Sequence, residues 1–197
     1  AIERKISLNP ILNSFQEVVH KYNIDQELTN AFMASMRADL DKTTYSSFED
    51  YETYIYGSAD VVGLMCLKVF VNGDQHMYDE LKAPAMRLGS AFQKVNFLRD
   101  LKDDTEGLSR TYFPHLANAQ FNAETKEQII NEINDDFEAA YVGIKQLPIE
   151  AKFGVYTAYI YYLKLLKKLK RTKAEKISET RIRVSDPLKM FLLARSF

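Results

Sequence analysis

The chain reads as an all-α protein of one domain, and three observations carry that reading. Only 7 Gly and 5 Pro interrupt 197 residues, apolar side chains recur at spacings of three and four, and no strand-like alternation persists. Apolar content of 46% with 12% aromatics is enough for a sizeable core, and this length defaults to a single domain. No repeat, linker or low-complexity segment divides it.

The first helix is expected from Pro10, a favourable first-turn residue after Asn9, through Ile11, Leu12, Phe15, Val18 and Val19. Asn23-Ile24-Asp25 ends it and caps the next, which carries Leu28, Phe32, Met33 and Met36 toward Leu40. The tract Asp41 to Ser47 is turn-like, and Ser47 with Asp50 three residues on resembles an N-terminal cap. A long helix should then run from Phe48 to about Phe70, ended by Asn72-Gly73-Asp74. The span from Gln75 to Leu101 contains Pro84, so a kink or two separate helices are expected there. Glu106-Gly107-Leu108-Ser109 reads as a loop, and Asn122 or Thr125 caps a helix carrying Ile129, Ile130, Ile133, Phe137 and Tyr141. Leu147-Pro148 closes it, a further helix follows from Ile149 to Lys170, and Ser185-Asp186-Pro187 opens a short last one through Leu188, Phe191 and Leu192.

Composition narrows the function. Lys and Arg number 26 against 27 Asp and Glu, a balance that argues against a general nucleic-acid binder. The single cysteine, Cys66, lies in the apolar run Val61 to Leu67 and reads as an inert core thiol in a reducing compartment. No charged-then-apolar leader opens the chain, and no apolar run approaches the roughly 20 residues of a membrane span. The expectation is a soluble cytoplasmic protein, with peripheral membrane contact left open. The chain starts at Ala1 in helical-looking sequence, which is the pattern of a fragment.

Three stretches could carry chemistry. In Gln93 to Asp104, QKVNFLRDLKDD, the residues Asn96, Asp100 and Asp104 recur at i, i+4 and form one polar stripe, opposite Val95, Phe97, Leu98 and Leu101. An acidic i, i+4 pair alone is commonly a wet helix face. An amide and two carboxylates without basic partners in a cleft would instead suit a hard cation such as Mg²⁺, with waters and phosphates completing its shell. The second stretch, Tyr54 to Gly63, sets Gly57, Ser58, Ala59 and Gly63 within a helix, which implies close approach of another helix or of a ligand. The third, Phe153 to Tyr162, is an aromatic stripe followed by Lys164, Lys167, Lys168, Lys170 and Arg171; core and a solvated helix end are the plain reading, with a membrane-surface or phosphate contact as the alternative.

In their order and separation these stretches resemble the squalene/phytoene synthase family of head-to-head isoprenoid synthases, over nearly the whole chain. Gln93 to Asp104 with Arg110-Thr111-Tyr112-Phe113-Pro114 is similar to the family's second aspartate-rich motif and the run that follows it. Tyr54 to Gly63 resembles its YCYxVAGxVG motif, Met36 to Leu40 its GMRxDL-like run, and Arg181 to Ser185 with Lys189 its C-terminal RVRVS-like segment. The resemblance implies an all-α isoprenoid-synthase bundle around a central cavity, incomplete in this chain, with residues 1–197 forming the C-terminal portion of one such domain and no second domain. It implies that Asn96, Asp100 and Asp104 bind Mg²⁺ holding an allylic prenyl diphosphate, with Gln93 and Arg99 beside it. It also implies that Tyr54 and Tyr161 approach the diphosphate or the carbocation, and that Ser58, Val62 and Gly63 line the prenyl tunnel.

Two departures stand out. Asp60 takes the place of a glycine in the family motif, either as an extra acid near the tunnel or in a structural salt bridge. Nothing in residues 1–40 supplies the family's first DxxxD, Asp25 and Asp39 being too far apart, so the chain is expected to be an N-terminally truncated segment, inactive alone. The function implied is condensation of two geranylgeranyl diphosphates to phytoene, a carotenoid precursor, through a cyclopropyl intermediate. The alternatives are a squalene or dehydrosqualene synthase acting on farnesyl diphosphate, needing NADPH only if squalene is formed, and a non-catalytic member acting in assembly or binding.

Overall fold

The structure, a computed structural model, describes residues 1–45, 47–107, 110–116 and 120–182. The expected last helix from Ser185, and Arg183 to Ser185 with Lys189 of the C-terminal motif, lie outside these residues, as do Leu108 and Ser109. Among the described residues there is no strand, only a single parallel bridge between Thr44 and Thr111.

Helix α1 (Pro10–Lys21) starts where the Asn9 side chain accepts from the Ile11 and Leu12 amides, and α2 (Gln26–Ala38) follows. Leu40 falls beyond the end of α2 and is exposed. The predicted helix from Phe48 to Phe70 is continuous but not uniform. Its first part, α3 (Phe48–Ile55), is capped by Ser47 accepting from the Asp50 amide; a π-helical segment (Tyr56–Asp60) follows, then α4 (Val61–Phe70). The π segment lies against α2. A Cβ on Gly57 would stand 2.0 Å from Ser35 Oγ and 2.7 Å from the Ala31 carbonyl oxygen, so only glycine allows that approach.

After a turn in which Asn72 and Gly73 take positive φ, Asp74 caps the central helix α5 (Gln75–Lys102). The sequence leads one to expect a kink or two helices at Pro84; instead α5 runs through it as one helix of 28 residues. Pro84 removes the bond to the Glu80 carbonyl, but Glu80 is exposed and water can take its place. The prolyl ring is accommodated by Gly143 of α6 (Ala123–Ile144), where a Cβ would come within 2.6 Å of it. The cap on α6 is a reciprocal box between Asn122 and Thr125. Pro148 separates α6 from α7 (Ile149–Arg171), and a short α8 (Ala174–Glu179), not anticipated from the sequence, follows.

Helix α5 spans about 42 Å at 1.5 Å per residue and touches two apolar clusters. One gathers Val95, Leu98 and Leu101 with Ile129, Ile133, Phe137, Leu165 and Leu169; the other gathers Leu81 with Val61, Leu64, Leu67 and Leu28. Buried between α5 and α6 is a charged group: Lys94 Nζ sits 2.8 Å from Asp136 Oδ2 and also reaches Glu132, while Arg87 Nη1 lies 2.9 Å from Asp136 Oδ1. Burial alone would lower the Lys94 ammonium; the two carboxylates outweigh it and raise its pKa. No described helix is long and apolar enough to cross a membrane.

Candidate functional site

The last turns of α5 present the predicted stripe, and the structure alters it in two ways. Asn96, Asp100 and Arg99 are on α5, half-buried, above the buried Val95, Phe97, Leu98 and Leu101. Asp104 is not on the α-helix: Asp103–Gly107 form a second π-helical segment, which displaces it from the strict i, i+4 register. Asp100 is not without basic partners either. Arg99 donates to both its oxygens, at 2.9 Å from Nε and 2.5 Å from Nη2, and Arg181 Nε lies 2.6 Å from Oδ1. Arg181, contributed by the segment after α8, also stands 4.0 Å from Asp103. The sequence missed this because a partner 81 positions away leaves no local signal.

Asp104 is the carboxylate left over. No described side chain donates to it; burial and the charges of Asp100 and Asp103 push it up to about 6, against the opposing pull of Arg110 and Arg181. An excess of negative charge of this kind is what a divalent cation relieves. Among the described residues no cluster of three His, Cys, Asp or Glu side chains could hold a metal by itself. The donor set therefore fits Mg²⁺ only in the form in which that ion usually binds, with one or two carboxylates, an amide oxygen, and water and phosphate oxygens. Asn96 and Asp104 would supply the free oxygens, and Asp100 would join by exchanging an arginine for the ion. Asn96 Oδ1 already accepts from Tyr162, at 3.2 Å, and keeps a second lone pair.

Tyr162 touches the stripe through this bond, and Tyr161, expected near the diphosphate or the carbocation, packs edge-on against Tyr162; both lie close enough to Arg99 to favour its charge. Tyr54 is buried one layer below. Its hydroxyl donates to Asp39 Oδ2 at 2.9 Å, and its ring stacks with Tyr112, which stacks on Phe97 at 4.0 Å. Arg110 closes this group, donating to the Asp39 carbonyl and to Tyr112, while its own amide donates to the Asp104 carbonyl at 2.8 Å. Asp39 and Arg110 were visible in the motifs but carried no assigned role.

Below the stripe, α4, α5, α6 and α7 border a largely apolar cavity of about 660 Å³ that is partly open to solvent. Ser58, Val62 and Gly63 are among the residues that line it, and Gln93 bridges the two features, with Nε2 donating to Ser58 Oγ at 3.1 Å. Cys66 corrects the sequence reading: it is exposed and faces this cavity rather than the core, and burial by the surrounding walls raises its thiol pKa. Asp60 fits neither expectation. It is buried, turned from the cavity toward α5, and accepts from Ser90 Oγ at 2.8 Å with no described cation paired to it.

Residues 2–187 match the squalene/phytoene synthase family model. The chain is similar to a 15-cis-phytoene synthase from Synechococcus elongatus, 30% identical over an alignment of 166 residues, with 72% of this chain and 53% of the relative covered. It is also similar to a phytoene synthase from Pseudescherichia vulneris, 28% identical over 76% of this chain and 52% of the relative, so it spans about half the length of the curated relatives it matches. Among solved structures it resembles a dehydrosqualene synthase in complex with a ligand, with a TM-score of 0.79 and 20% identity over 99% of this chain and 72% of the other. A squalene synthase from Alicyclobacillus acidocaldarius aligns with a TM-score of 0.74 and 19% identity, over 86% and 68%. These two share the all-α isoprenoid-synthase fold with the described helices, and the match over residues 2–187 is of a kind that composition alone does not produce. The chain belongs to the squalene/phytoene synthase family.

Proposed function

We propose that these residues supply the second of two metal-binding halves of a Mg²⁺-dependent prenyltransferase that condenses two geranylgeranyl diphosphates head-to-head to phytoene. The observation that carries the proposal is the junction at Gln93: an apolar cavity on one side, and on the other an oxygen-rich helix end flanked by Arg99, Arg110 and Arg181. An amphipathic substrate with a long hydrocarbon tail and a polyanionic head matches such a junction. Mg²⁺, when bound, supplies positive charge that offsets the charge building on the departing diphosphate. Asn96, Asp100 and Asp104 hold the head, Arg99 and Gln93 orient it, and the walls at Ser58, Val62 and Gly63 exclude water from the tail. The C–O bond of one substrate breaks, the bonding pair leaves with the diphosphate, and the double bond of the second substrate captures the cation. Proton loss closes the cyclopropane; a second ionisation, rearrangement and proton loss give the linear product. Tyr161 and Tyr162 offer aromatic faces to these cations without trapping them.

The depth of the cavity favours the longer substrate. Its α5 wall runs from Leu81 to Gln93, a rise of about 18 Å. An extended chain advances about 1.2 Å per bond, so a farnesyl main chain reaches about 13 Å and a geranylgeranyl one about 18 Å. Squalene or dehydrosqualene formation from farnesyl diphosphate is the second reading, with NADPH required only for squalene. The same proposal includes contact of the exposed basic end of α7 with a membrane surface during product release, and no turnover by these residues alone. The experiment is to supply the full-length protein with each diphosphate and Mg²⁺, with and without NADPH, and identify the hydrocarbon. Phytoene from geranylgeranyl diphosphate, lost by at least a hundredfold in Asp104→Ala, is expected; unchanged product from that variant would remove Asp104 from the site.

A further inference from the structure

We infer that Arg181 and a divalent cation compete for Asp100, and that a diphosphate resolves the competition by taking the arginine. The inference rests on the reading of this helix end as the diphosphate site, and it makes Arg181 the positioning residue through which cation and diphosphate binding are coupled.

The number of acceptor positions on Asp100 carries the inference. An ionised carboxylate offers about four lone-pair positions on its two oxygens. Arg99 fills one on each oxygen, from Nε at 2.9 Å and Nη2 at 2.5 Å. Arg181 takes the other two, with Nε at 2.6 Å from Oδ1 and Nη2 at 3.4 Å from Oδ2. Asn96 accepts only from Tyr162, and no described side chain donates to Asp104, so of the three expected ligands Asp100 is the one that is full. A cation reaches Asp100 only by displacing an arginine.

Arg181 is the arginine that yields. Arg99 precedes Asp100 on α5, is 20% exposed, and has Tyr161 and Tyr162 close enough to favour its charge. Arg181 is 38% exposed, its second contact is long, and Asp103, at 4.0 Å, is its one other described acidic neighbour. Ile182, the next residue, is buried in the same apolar cluster as Ile177, which holds the backbone in place and leaves the exchange to one side chain. Displaced alone, the guanidinium would stand beside a divalent cation, and their repulsion makes binding of the bare ion weak. Phosphate oxygens remove that cost, because the planar fork of arginine matches them as well as it matches a carboxylate. Each ligand therefore strengthens the other, and by linkage the loss of either loosens the hold on its companion.

The test compares the full-length protein with its Arg181→Gln and Arg181→Lys variants. Mn²⁺ alone is titrated through the EPR signal of the free ion, and Mg²⁺-pyrophosphate by calorimetry. Expected in Arg181→Gln is Mn²⁺ binding about fivefold tighter and Mg²⁺-pyrophosphate binding about tenfold weaker, opposite signs that a merely structural tie would not produce. Arg181→Lys keeps the charge but not the fork, so Mn²⁺ should bind about twofold tighter there as well. Parent-like Mn²⁺ affinity in Arg181→Lys beside tighter binding in Arg181→Gln would mean that charge alone acts, and would overturn the exchange. Unchanged or weaker Mn²⁺ binding in both variants would overturn it too; the proposed activity survives that result if the parent still binds Mg²⁺-pyrophosphate. If the parent binds no Mg²⁺-pyrophosphate, both fall.

Discussion

Asp60 carries a carboxyl in a place that solvates charge poorly, with Ser90 as its one described donor. Burial, reinforced by Asp136 and opposed by Ser90, Lys94 and Arg87, pushes its pKa up from 3.8 to about 6. An acid held more tightly protonated in the folded state loses stability as pH rises from about 4 through about 6, and roughly 3 kcal/mol is the scale of the whole effect. Asp60→Asn keeps the acceptor for Ser90 and removes the titration. Urea unfolding should show the variant gaining up to about 3 kcal/mol over the parent at pH 8 and almost nothing at pH 4; the same gain at both pH values would mean that burial of the charge is not the cause. The sequence flagged Asp60 as foreign to its motif, but not where it points, because that depends on the twist of the chain between Tyr56 and Val61. Tyr161 and Tyr162 show the same limit: adjacent aromatics both suit the role, and only the crossing of α5 with α7 brings Tyr162 to Asn96.

The helices themselves were legible because apolar spacing and caps are local properties, and the ends at Asn9, Ser47, Asn122 and Pro148 agree with the structure. Less legible were features settled by a neighbouring helix. Pro84 looks like a break until Gly143 of α6 is placed against its ring, and Gly57 looks merely permissive until Ser35 and Ala31 of α2 are placed against it. Gly57→Ala is expected to cost about 2–3 kcal/mol, read as a shift in denaturant midpoint at unchanged slope. The double variant with Ser35→Gly should recover only part of that, since the Ala31 backbone remains 2.7 Å away. Full recovery would mean that the Ser35 hydroxyl alone enforces the glycine.

Over the whole molecule, the head of the site is assembled from distant parts of the chain: Asp39 follows α2, Arg110 follows the second π segment, and Arg181 follows α8. Arg181 is about 38% exposed, so Arg181→Ala should change stability by less than about 1 kcal/mol. Binding of Mg²⁺-pyrophosphate, followed by calorimetry, should weaken by about tenfold in that variant; an unaltered affinity with a lowered Tm would make Arg181 a structural tie only. The apolar face of α1, with Ile11, Leu12 and Phe15 exposed beside Leu8, is left uncovered by the described helices. The π segment at Tyr56–Asp60 has a consequence on this same scale. By holding one residue more than an α-turn would, it sets the rotational phase of α4 against α3, and so decides which side chains of α4 the cavity sees. Wound as regular α-helix with no residue removed, the same chain would rotate α4 by about 100° and carry Val62, Gly63 and Cys66 off the cavity wall together. In that sense the width of the cavity is stored as an angle, in five residues that line only part of it.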